Sequence, residues 1–459
     1  MKNPFSSGAP YYKRMLQIAI PTMIQNGVTN FVNMLDNIMV GQVGTLQMTG
    51  VSIVNQLLFV FNLCIFGAMS GAGIFTAQFY GKKDTQGVKN TVQYKLVTAV
   101  LFTALGVAAF ILLGDVLISA YIEDGADPTE AALVASYSKS YLNIMLFNAL
   151  PFAVAQAYAS SLRETKDRVI PMISTVAAVL INLVLNYILI FGHFGAPEMG
   201  IEGAATATVI ARFAECAILI LWTHTHKKKY PFIEKLYTHT TISLQQIKKI
   251  VTVSLPLIIN EALWATGMAF LNQCYSIRGL SVVAAINIVS TLSNVFNVSF
   301  LSFGSSIGII LSQMLGAGEK EEAKKASTKM ISFAVFTVFG IALLMCCFAG
   351  AFPKIYNTDD YVRSLATTLI LVMAVYMPVQ CFLNACYFSL RSGGKTVITF
   401  IFDSGFMWVL VIPVAFCLSR FTDLPIIPLY AVIQAIDIIK CVIGYIFLKK
   451  GVWLNTVVE

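Results

Sequence analysis

A carboxylate lies within the first long apolar run of the chain, in the stretch NFVNMLDNIMVG at residues 30–41. A charge in hydrocarbon costs at least about 2.5 kcal/mol, so Asp36 needs a counter-ion, a bound cation or a proton. Side chains three and four residues apart share one helix face, and four asparagines beside Asp36 follow this spacing: Asn26, Asn30, Asn33 and Asn37. We predict that Asp36 couples the protein to a cation. The asparagine stripe is expected to face the bundle interior or a wet cavity, because lipid cannot satisfy it.

A hard cation at Asp36 would need further oxygen ligands nearby. Asn182 and Asn186 lie four residues apart in a later apolar run, so they share one helix face. The pair is therefore a candidate source of such ligands. All histidines fall in loops or at the ends of apolar runs, so none is placed to carry protons inside a membrane.

A second polar stripe lies on the helix predicted after Pro256. Its members recur at helical spacing: Glu261, Trp264, Met268 and Asn272. An acid beside an aromatic ring suits a flat organic cation, because the ring adds a cation–π attraction of about 1–2 kcal/mol. We predict that this stripe binds substrate or forms a second coupling site.

Other charged residues within the apolar runs have competing explanations. Asp403, in FIFDSGFMW, is predicted to be a carboxylate that lines the transport cavity, as part of the same substrate or second coupling site as Glu261. Asp437 precedes Lys440 by three residues. A structural ion pair with Lys440 near the cytoplasmic end and a functional role in the cavity are equally consistent with this position. Arg212 and Glu215 are also three apart, and a structural pair is favoured for them.

Enzyme motifs in the chain are weak. GSSIG at residues 304–308 fits the G-x-S-x-G pattern of hydrolases, but it lies inside an apolar run, where small residues let helices approach closely. The chain has no phosphate-binding loop for ATP. We therefore expect neither an enzyme nor a bound cofactor.

The composition explains why these polar residues are exceptional. Of 459 residues, 57% are hydrophobic and 12% are charged, whereas soluble proteins carry about 25% charged residues. Apolar runs of roughly 20 residues or more recur along the chain, and we count twelve. The nine cysteines are scattered, with no metal-binding spacing. The sequence predicts an all-α polytopic membrane protein with twelve transmembrane helices.

The positions of the basic residues predict the orientation. About 25 of the 31 Lys and Arg residues lie in the N-terminal tail, the even-numbered loops and the C-terminal tail. Cytoplasmic loops carry the excess of basic residues, so both termini are expected in the cytoplasm and the protein in the cell (inner) membrane. Because topology explains the basic charge, no nucleic-acid partner is expected.

The chain contains a repeat. A shift of 235 residues aligns Gln78 with Gln313 and Gly81 with Gly316 without a gap, and it also brings Pro21 onto Pro256. The predicted lobes are residues 1–224 with helices 1–6 and residues 248–459 with helices 7–12, joined by a cytoplasmic linker at 225–247. Basic loops match between the two, so the six-helix repeats are parallel, an arrangement that in transporters places substrate sites between the repeats.

The ordered motifs resemble the multidrug and toxic compound extrusion (MATE) family over essentially the whole chain. They are Pro21 with Asp36, AQFYGKKD (77–84), INLVLNYILIFG (181–192), GIEGAATAT (200–208) and the doubled SLR turns. The resemblance implies export of cationic, often aromatic, compounds in exchange for Na⁺ or H⁺.

The resemblance also implies an ion or proton site in the first lobe, made of Asp36, Asn182, Asn186 and Thr208, and if the ion is Na⁺ we expect Asp36, Asn182 and Asn186 to bind it. Some members carry a second carboxylate where this chain has Asn186, so the choice between Na⁺ and H⁺ stays open. Gln380 stands where some members have an acid in the tenth span, so their second site does not transfer.

Three functions are consistent with this architecture. The favoured one is secondary-active efflux of organic cations in exchange for Na⁺ or H⁺ by alternating access, carried out by a monomer in the bilayer. The alternative is a flippase for a lipid-linked precursor, which would need several basic residues in its cavity, whereas Arg212 is the one clear cation within the spans. A channel is disfavoured because no ring of charges recurs.

Overall fold

The computed structural model describes residues 10–122, 127–165, 167–237, 242–356 and 358–458, and within these ranges the chain forms helices and no β-strand. Twelve long helices follow one another: α1 (Tyr11–Val43), α2 (Thr45–Lys82), α3 (Thr85–Ser119), α4 (Pro128–Glu164), α5 (Val169–Phe191), α6 (Gly200–Thr225), α7 (Leu244–Ser276), α8 (Leu280–Gly316), α9 (Lys320–Ala349), α10 (Asp360–Ser392), α11 (Thr396–Phe421) and α12 (Ile426–Lys450). The predicted fold class is confirmed.

Eleven helices in the described ranges, α2 to α12, are long and apolar enough to cross a membrane. Helix α1 has the length but not the apolarity, because its asparagines, its glutamines and Asp36 interrupt the apolar residues. A spanning helix of this composition must present its polar side chains to protein or water. The same helix contains Pro21, which removes one backbone hydrogen bond and favours a bend.

The chain divides into two compact units. The N-unit comprises Ile24–Thr76 and Thr85–Lys249, and the C-unit comprises Met1–Met23, Ala77–Asp84 and Ile250–Glu459. In the N-unit α6 packs against α4 and α5, and α3 packs against α4. In the C-unit α10 packs against α8, α9 and α12. These units describe packing, so the lobes predicted from the repeat at 1–224 and 248–459, with their linker, stay a prediction.

Equivalent residues of the two repeats contact one another at the ends of α2 and α8. A Cβ atom on Gly81 would lie 1.9 Å from the carbonyl oxygen of Gln313, and one on Gly316 would lie 1.9 Å from that of Gln78. Only glycine permits so close a backbone approach. Because each contact is the repeat-equivalent of the other, the paired glycines explain why the sequence repeat is strongest here.

Residues 452–458, the segment after α12, fold back onto the C-unit. The Trp453 side chain is fully buried, and the Asn455 side-chain nitrogen donates to the Gly393 carbonyl at 3.0 Å. The Val457 amide donates to Gln78 Oε1 at 2.8 Å, and Lys82 Nζ donates to the Val458 carbonyl at 3.0 Å. These bonds explain why the end of α2 belongs to the C-unit.

The described part of the predicted linker packs onto the N-unit. Phe232 and Leu236 are buried, and Gln93 Nε2 donates to the Leu236 carbonyl at 2.7 Å. Burial alone would raise the pKa of Asp167, but hydrogen bonds to it, including one of 2.5 Å from Lys229, lower that pKa overall. The segment after α6 is therefore held against the rest of the N-unit. Its buried apolar side chains were not expected from its polar composition.

Candidate functional site

Three helices of the N-unit bring four predicted site residues together. Asn186 Nδ2, on α5, donates to Asp36 Oδ1, on α1, at 2.7 Å. With its amide nitrogen facing the carboxylate, Asn182 donates to Asp36 Oδ2 at 2.9 Å, and its oxygen accepts from Thr208 Oγ1, on α6, at 3.2 Å. We call Asp36, Asn182, Asn186 and Thr208 the Asp36 cluster.

The Asp36 cluster offers oxygen atoms and a negative charge. Asn182 and Asn186 are buried and Asp36 is half-buried. Asn186 Oδ1 is buried without a hydrogen-bond partner among the described residues, and such an acceptor is normally satisfied. Carboxylate, amide and hydroxyl oxygens are the ligands of hard cations such as Na⁺. The residues therefore fit such an ion, whereas no group of three or more His, Cys, Asp or Glu in the described ranges forms a site for a softer metal.

No ion pair engages Asp36 in the part of the chain that is described. The other acids buried in the N-unit do have such partners, as Glu164 pairs with Lys95 and Glu215 with Arg212. Amide groups stabilise the Asp36 carboxylate by hydrogen bonds but cannot neutralise it. The cluster therefore leaves a negative charge for an external cation or a proton.

The asparagine stripe of α1 does not join this cluster. Asn30, Asn33 and Asn37 are exposed and Asn26 is half-buried. Hydrogen bonding between packed helices therefore does not explain these three exposed residues. Of the two placements expected, contact with water is the one that their exposure favours.

A second polar layer lies in the N-unit, and the sequence interpretation missed part of it. Arg212 Nη1 donates to Glu215 Oε2 at 2.8 Å, which confirms the predicted pair. Thr175 Oγ1 donates to Glu215 Oε1 at 2.6 Å and accepts from Gln25 Nε2 at 2.9 Å. Thr175 lies seven residues before Asn182, and Gln25 lies eleven before Asp36. These spacings keep each residue on the same helix face as its neighbour in the Asp36 cluster. They are visible in the sequence and could have predicted the second polar layer.

The C-unit distinguishes the two interpretations that the sequence left open for Asp437. Lys440 Nζ lies 2.8 Å from Asp403 Oδ1, and Asn260 Nδ2 donates to Asp403 Oδ2 at 3.1 Å. Asp437 instead accepts from Gln380 Nε2 at 2.6 Å. Asp437 and Lys440 therefore do not form the direct ion pair that was one of the two alternatives, because Lys440 extends towards α11 and Asp437 contacts α10.

Asp403 lies in an irregular part of α11. Residues Ile401–Gly405 and Met407–Val411 form π-helical segments, and Asp403 lies in the first. A π-segment widens a helix by one residue per turn and often occurs at functional sites. The apolar pattern of the sequence does not predict this segment.

Glu261 lies close to charged and polar groups of the C-unit. Its electrostatic neighbours are the Arg391 guanidinium, the Asp403 carboxylate and the Tyr387 hydroxyl. Arg391 belongs to the second SLR turn, a motif that the sequence analysis used only as evidence of the repeat. Glu261 and Asp403 therefore belong to one electrostatic cluster.

The other three members of the predicted Glu261 stripe are exposed. Trp264 is 41% exposed, Met268 is 37% exposed, and Asn272 is exposed as well. The Trp264 ring and the Met268 thioether are therefore not enclosed by the described part of the chain. The structure places Asn272 further along α7 and gives it no part in the Glu261 contacts.

Basic residues within the spans are more numerous than the sequence interpretation held. Lys440 lies inside α12, so Arg212 is not the one clear cation of the spans, and Arg391 lies in the last turn of α10. Each of these three has an acidic neighbour: Asp403 for Lys440, Glu261 for Arg391 and Glu215 for Arg212. The number of basic residues therefore says less about the substrate than their pairing does.

Comparisons with known proteins agree with this architecture. The family model described as MatE matches residues 21–188 and 256–417, once in each repeat. The probable multidrug resistance protein NorM of Thermotoga maritima is 25% identical over 445 residues, covering 96% of this chain and 93% of the relative. The probable multidrug resistance protein YoeA of Bacillus subtilis is 25% identical, with 91% and 89% covered.

Solved structures show the same fold. An outward-facing MATE family transporter of the MOP superfamily superposes with a TM-score of 0.88 at 17% identity, over 98% of both chains. A MOP superfamily transporter from Pyrococcus furiosus, described as having a binding pocket of reverse polarity that suggests a different function, superposes at 0.84 with 18% identity over 98% of both chains. The match in both halves confirms the resemblance drawn from the motifs, and the chain belongs to the MatE family, the multidrug and toxic compound extrusion transporters.

Proposed function

We propose that this protein exports organic cations across the cell membrane in exchange for Na⁺ or H⁺, with both termini in the cytoplasm. The observation that carries the proposal is the Asp36 carboxylate, held by two amides and without an ion-paired partner in the described ranges. The names of the relatives, multidrug resistance proteins, support the substrate class. We further propose that a monomer suffices, because each polar cluster is assembled within one chain.

The proposed exchange depends on a coupling cation that binds at Asp36. A cation at Asp36 would accept oxygen contacts from the carboxylate and from Asn186 Oδ1, which lacks a partner. A transported ion can drive export only if it favours one conformation of the transporter over another. Asp36 and Asn186 lie on different helices, α1 and α5, so binding there would stabilise the arrangement that brings these helices together.

We expect Asn182→Ala and Asn186→Ala each to raise the cation concentration needed for half-maximal ethidium efflux about tenfold. Each substitution removes a ligand or a carboxylate partner, and about 1.4 kcal/mol corresponds to a tenfold change in affinity. The measurement is efflux from proteoliposomes over a Na⁺ series at fixed pH and a pH series at fixed Na⁺. Asn143→Ala, an exposed position of the N-unit, is the matched control. Unchanged cation dependence in both variants would make the two asparagines packing residues.

Glu261 is proposed to contribute to organic-cation binding. Its helix presents the exposed Trp264 ring and Met268 thioether near the acid, which provide stacking and cation–π contacts. Glu261→Gln should weaken ethidium binding about tenfold in detergent, or about 1.4 kcal/mol, with a smaller effect on the coupling cation. Glu321→Gln, at an exposed site of the C-unit, is the control. Lost coupling with intact ethidium binding would instead assign Glu261 to a second coupling site, together with Asp403.

The second candidate function is a flippase for a lipid-linked precursor. Arg391 and Lys440 favour it more than the sequence did, and Arg391 Nη1 is buried without a partner among the described residues. Against it, acids lie close to both basic residues, which leaves little net positive charge for a pyrophosphate. Ethidium transport that depends on a cation gradient supports the exporter, whereas movement of a fluorescent pyrophosphate lipid without such transport supports the flippase.

A further inference from the structure

Arg212 lies on one face of α6, between Thr208 of the Asp36 cluster and the acid Glu215. It follows Thr208 of the Asp36 cluster by four residues and precedes Glu215 by three, so all three share that face. At a rise of about 1.5 Å per residue, the Arg212 Cα lies about 6 Å along the helix axis from that of Thr208 and about 4.5 Å from that of Glu215. The Arg212 side chain therefore leaves α6 at a level between the Asp36 cluster and Glu215.

The charge of Arg212 acts on both acids. Its Nη1 lies 2.8 Å from Glu215 Oε2, and its positive charge also acts on the Asp36 carboxylate. The side chain is 27% exposed, whereas that of Glu215 is 3% exposed. The Phe152 ring, 5.6 Å from the guanidinium carbon, provides a face along which it can pack. Arg212 is therefore the less tightly enclosed member of its pair.

Glu215 would keep other partners if Arg212 moved away. Thr175 Oγ1 donates to it at 2.6 Å, and the positive charge of Arg163, on α4, also acts on it. The neighbouring acid on α4, Glu164, is itself paired with Lys95 at 2.5 Å. A buried carboxylate left without any partner would be strongly unfavourable, and these contacts avoid that outcome.

We propose that Arg212 is a built-in competitor of the coupling cation: it pairs with Glu215 while a cation occupies the Asp36 cluster and turns to Asp36 when that cluster is empty. The inference rests on the proposed coupling role of Asp36 and goes beyond it by assigning a positioning role to the second polar layer. Arginine keeps its charge at all relevant pH values. One fixed positive charge shared between two acids therefore weakens cation binding in proportion to the time it spends at Asp36.

Substitutions on the two sides of this pair should act in opposite directions. Arg212→Gln removes the competitor and should lower the half-maximal cation concentration for ethidium efflux about tenfold, a usual scale for coupling between sites. Glu215→Gln removes the charge that holds Arg212 and should raise that concentration by a similar factor. The double substitution Arg212→Gln with Glu215→Gln leaves no buried charge of the pair unmatched, and it should behave as Arg212→Gln does.

The experiment measures cation-dependent ethidium efflux in proteoliposomes for these variants, for Arg212→Lys, and for Asp36→Asn. Arg212→Lys should restore most of the wild-type cation dependence, because it keeps the competing charge. The surface pair Lys139–Asp115 of the N-unit, with side chains 58% and 75% exposed, provides the control substitutions Lys139→Gln and Asp115→Asn.

Three outcomes separate the inference from the function on which it rests. A lower half-maximal cation concentration in Arg212→Gln and a higher one in Glu215→Gln, together with loss of cation dependence in Asp36→Asn, support both. Any other pattern in the two single variants, while Asp36→Asn still loses cation dependence, overturns the competitor and leaves the exporter intact. Normal cation dependence in Asp36→Asn overturns the proposed function and the inference with it. If the single variants fold poorly, wild-type cation affinity in the double variant overturns the inference.

Discussion

Asp36→Asn is expected to abolish coupled export while leaving the protein folded. An asparagine amide fits the space of the carboxylate and can still accept the bond that Asn186 donates at 2.7 Å, but it cannot neutralise a cation. Removing one charge of a buried charge pair typically costs about 2–5 kcal/mol. This corresponds to a loss of roughly thirtyfold or more in cation affinity.

Drug resistance of cells that express the variant at the wild-type level is the first measurement. Size-exclusion chromatography of the purified variant checks that it is folded. Asp115→Asn, which removes an exposed acid from the same unit, is the control and should keep full resistance. Wild-type resistance in Asp36→Asn cells would mean that the cation site has been placed on the wrong residue.

Breaking the ion pair between Lys95 and Glu164 is expected to give the largest loss of stability. The Lys95 side chain is fully buried, and Nζ lies 2.5 Å from Glu164 Oε2 and 3.1 Å from Ser160 Oγ. Removing one partner of a buried pair leaves an uncompensated charge, which costs about 3–5 kcal/mol. Glu164→Gln should therefore lower the free energy of unfolding of the N-unit by about that amount.

A double-mutant cycle separates the charge from the packing. Lys95→Met combined with Glu164→Gln removes both charges, so it should be less destabilising than Glu164→Gln alone. The measurement is the apparent melting temperature in detergent, with the exposed pair Lys139–Asp115 as the control cycle. A double variant that melts lower than Glu164→Gln would show that the pair stabilises through shape and hydrogen bonds and not through charge compensation.

The fold was predictable because its main determinants are local. Apolar runs of sufficient length define helices in a bilayer, and the repeat relates α2 to α8 through Gly81 and Gly316. For the Asp36 cluster, helical spacing placed Asn182 and Asn186 on one face. The family resemblance joined this pair and Thr208 to Asp36.

Contacts that depend on the direction of a side chain were not predictable. Lys440 is three residues from Asp437 but pairs with Asp403 of α11, because the choice depends on how α11 and α12 pack. The burial of Trp453 was not predicted either. Its site against the turn at Gly393 depends on the folded backbone.

Reverse coupling is the most direct test of the proposed exchange of an organic cation for Na⁺ or H⁺. Proteoliposomes containing the wild-type protein are loaded with ethidium, diluted into substrate-free buffer, and monitored for entry of ²²Na⁺ or of protons. We expect the outward ethidium gradient to drive one of these cations inward against its own gradient, and Asp36→Asn to abolish that movement. Ethidium efflux with no accompanying movement of either cation would contradict the account.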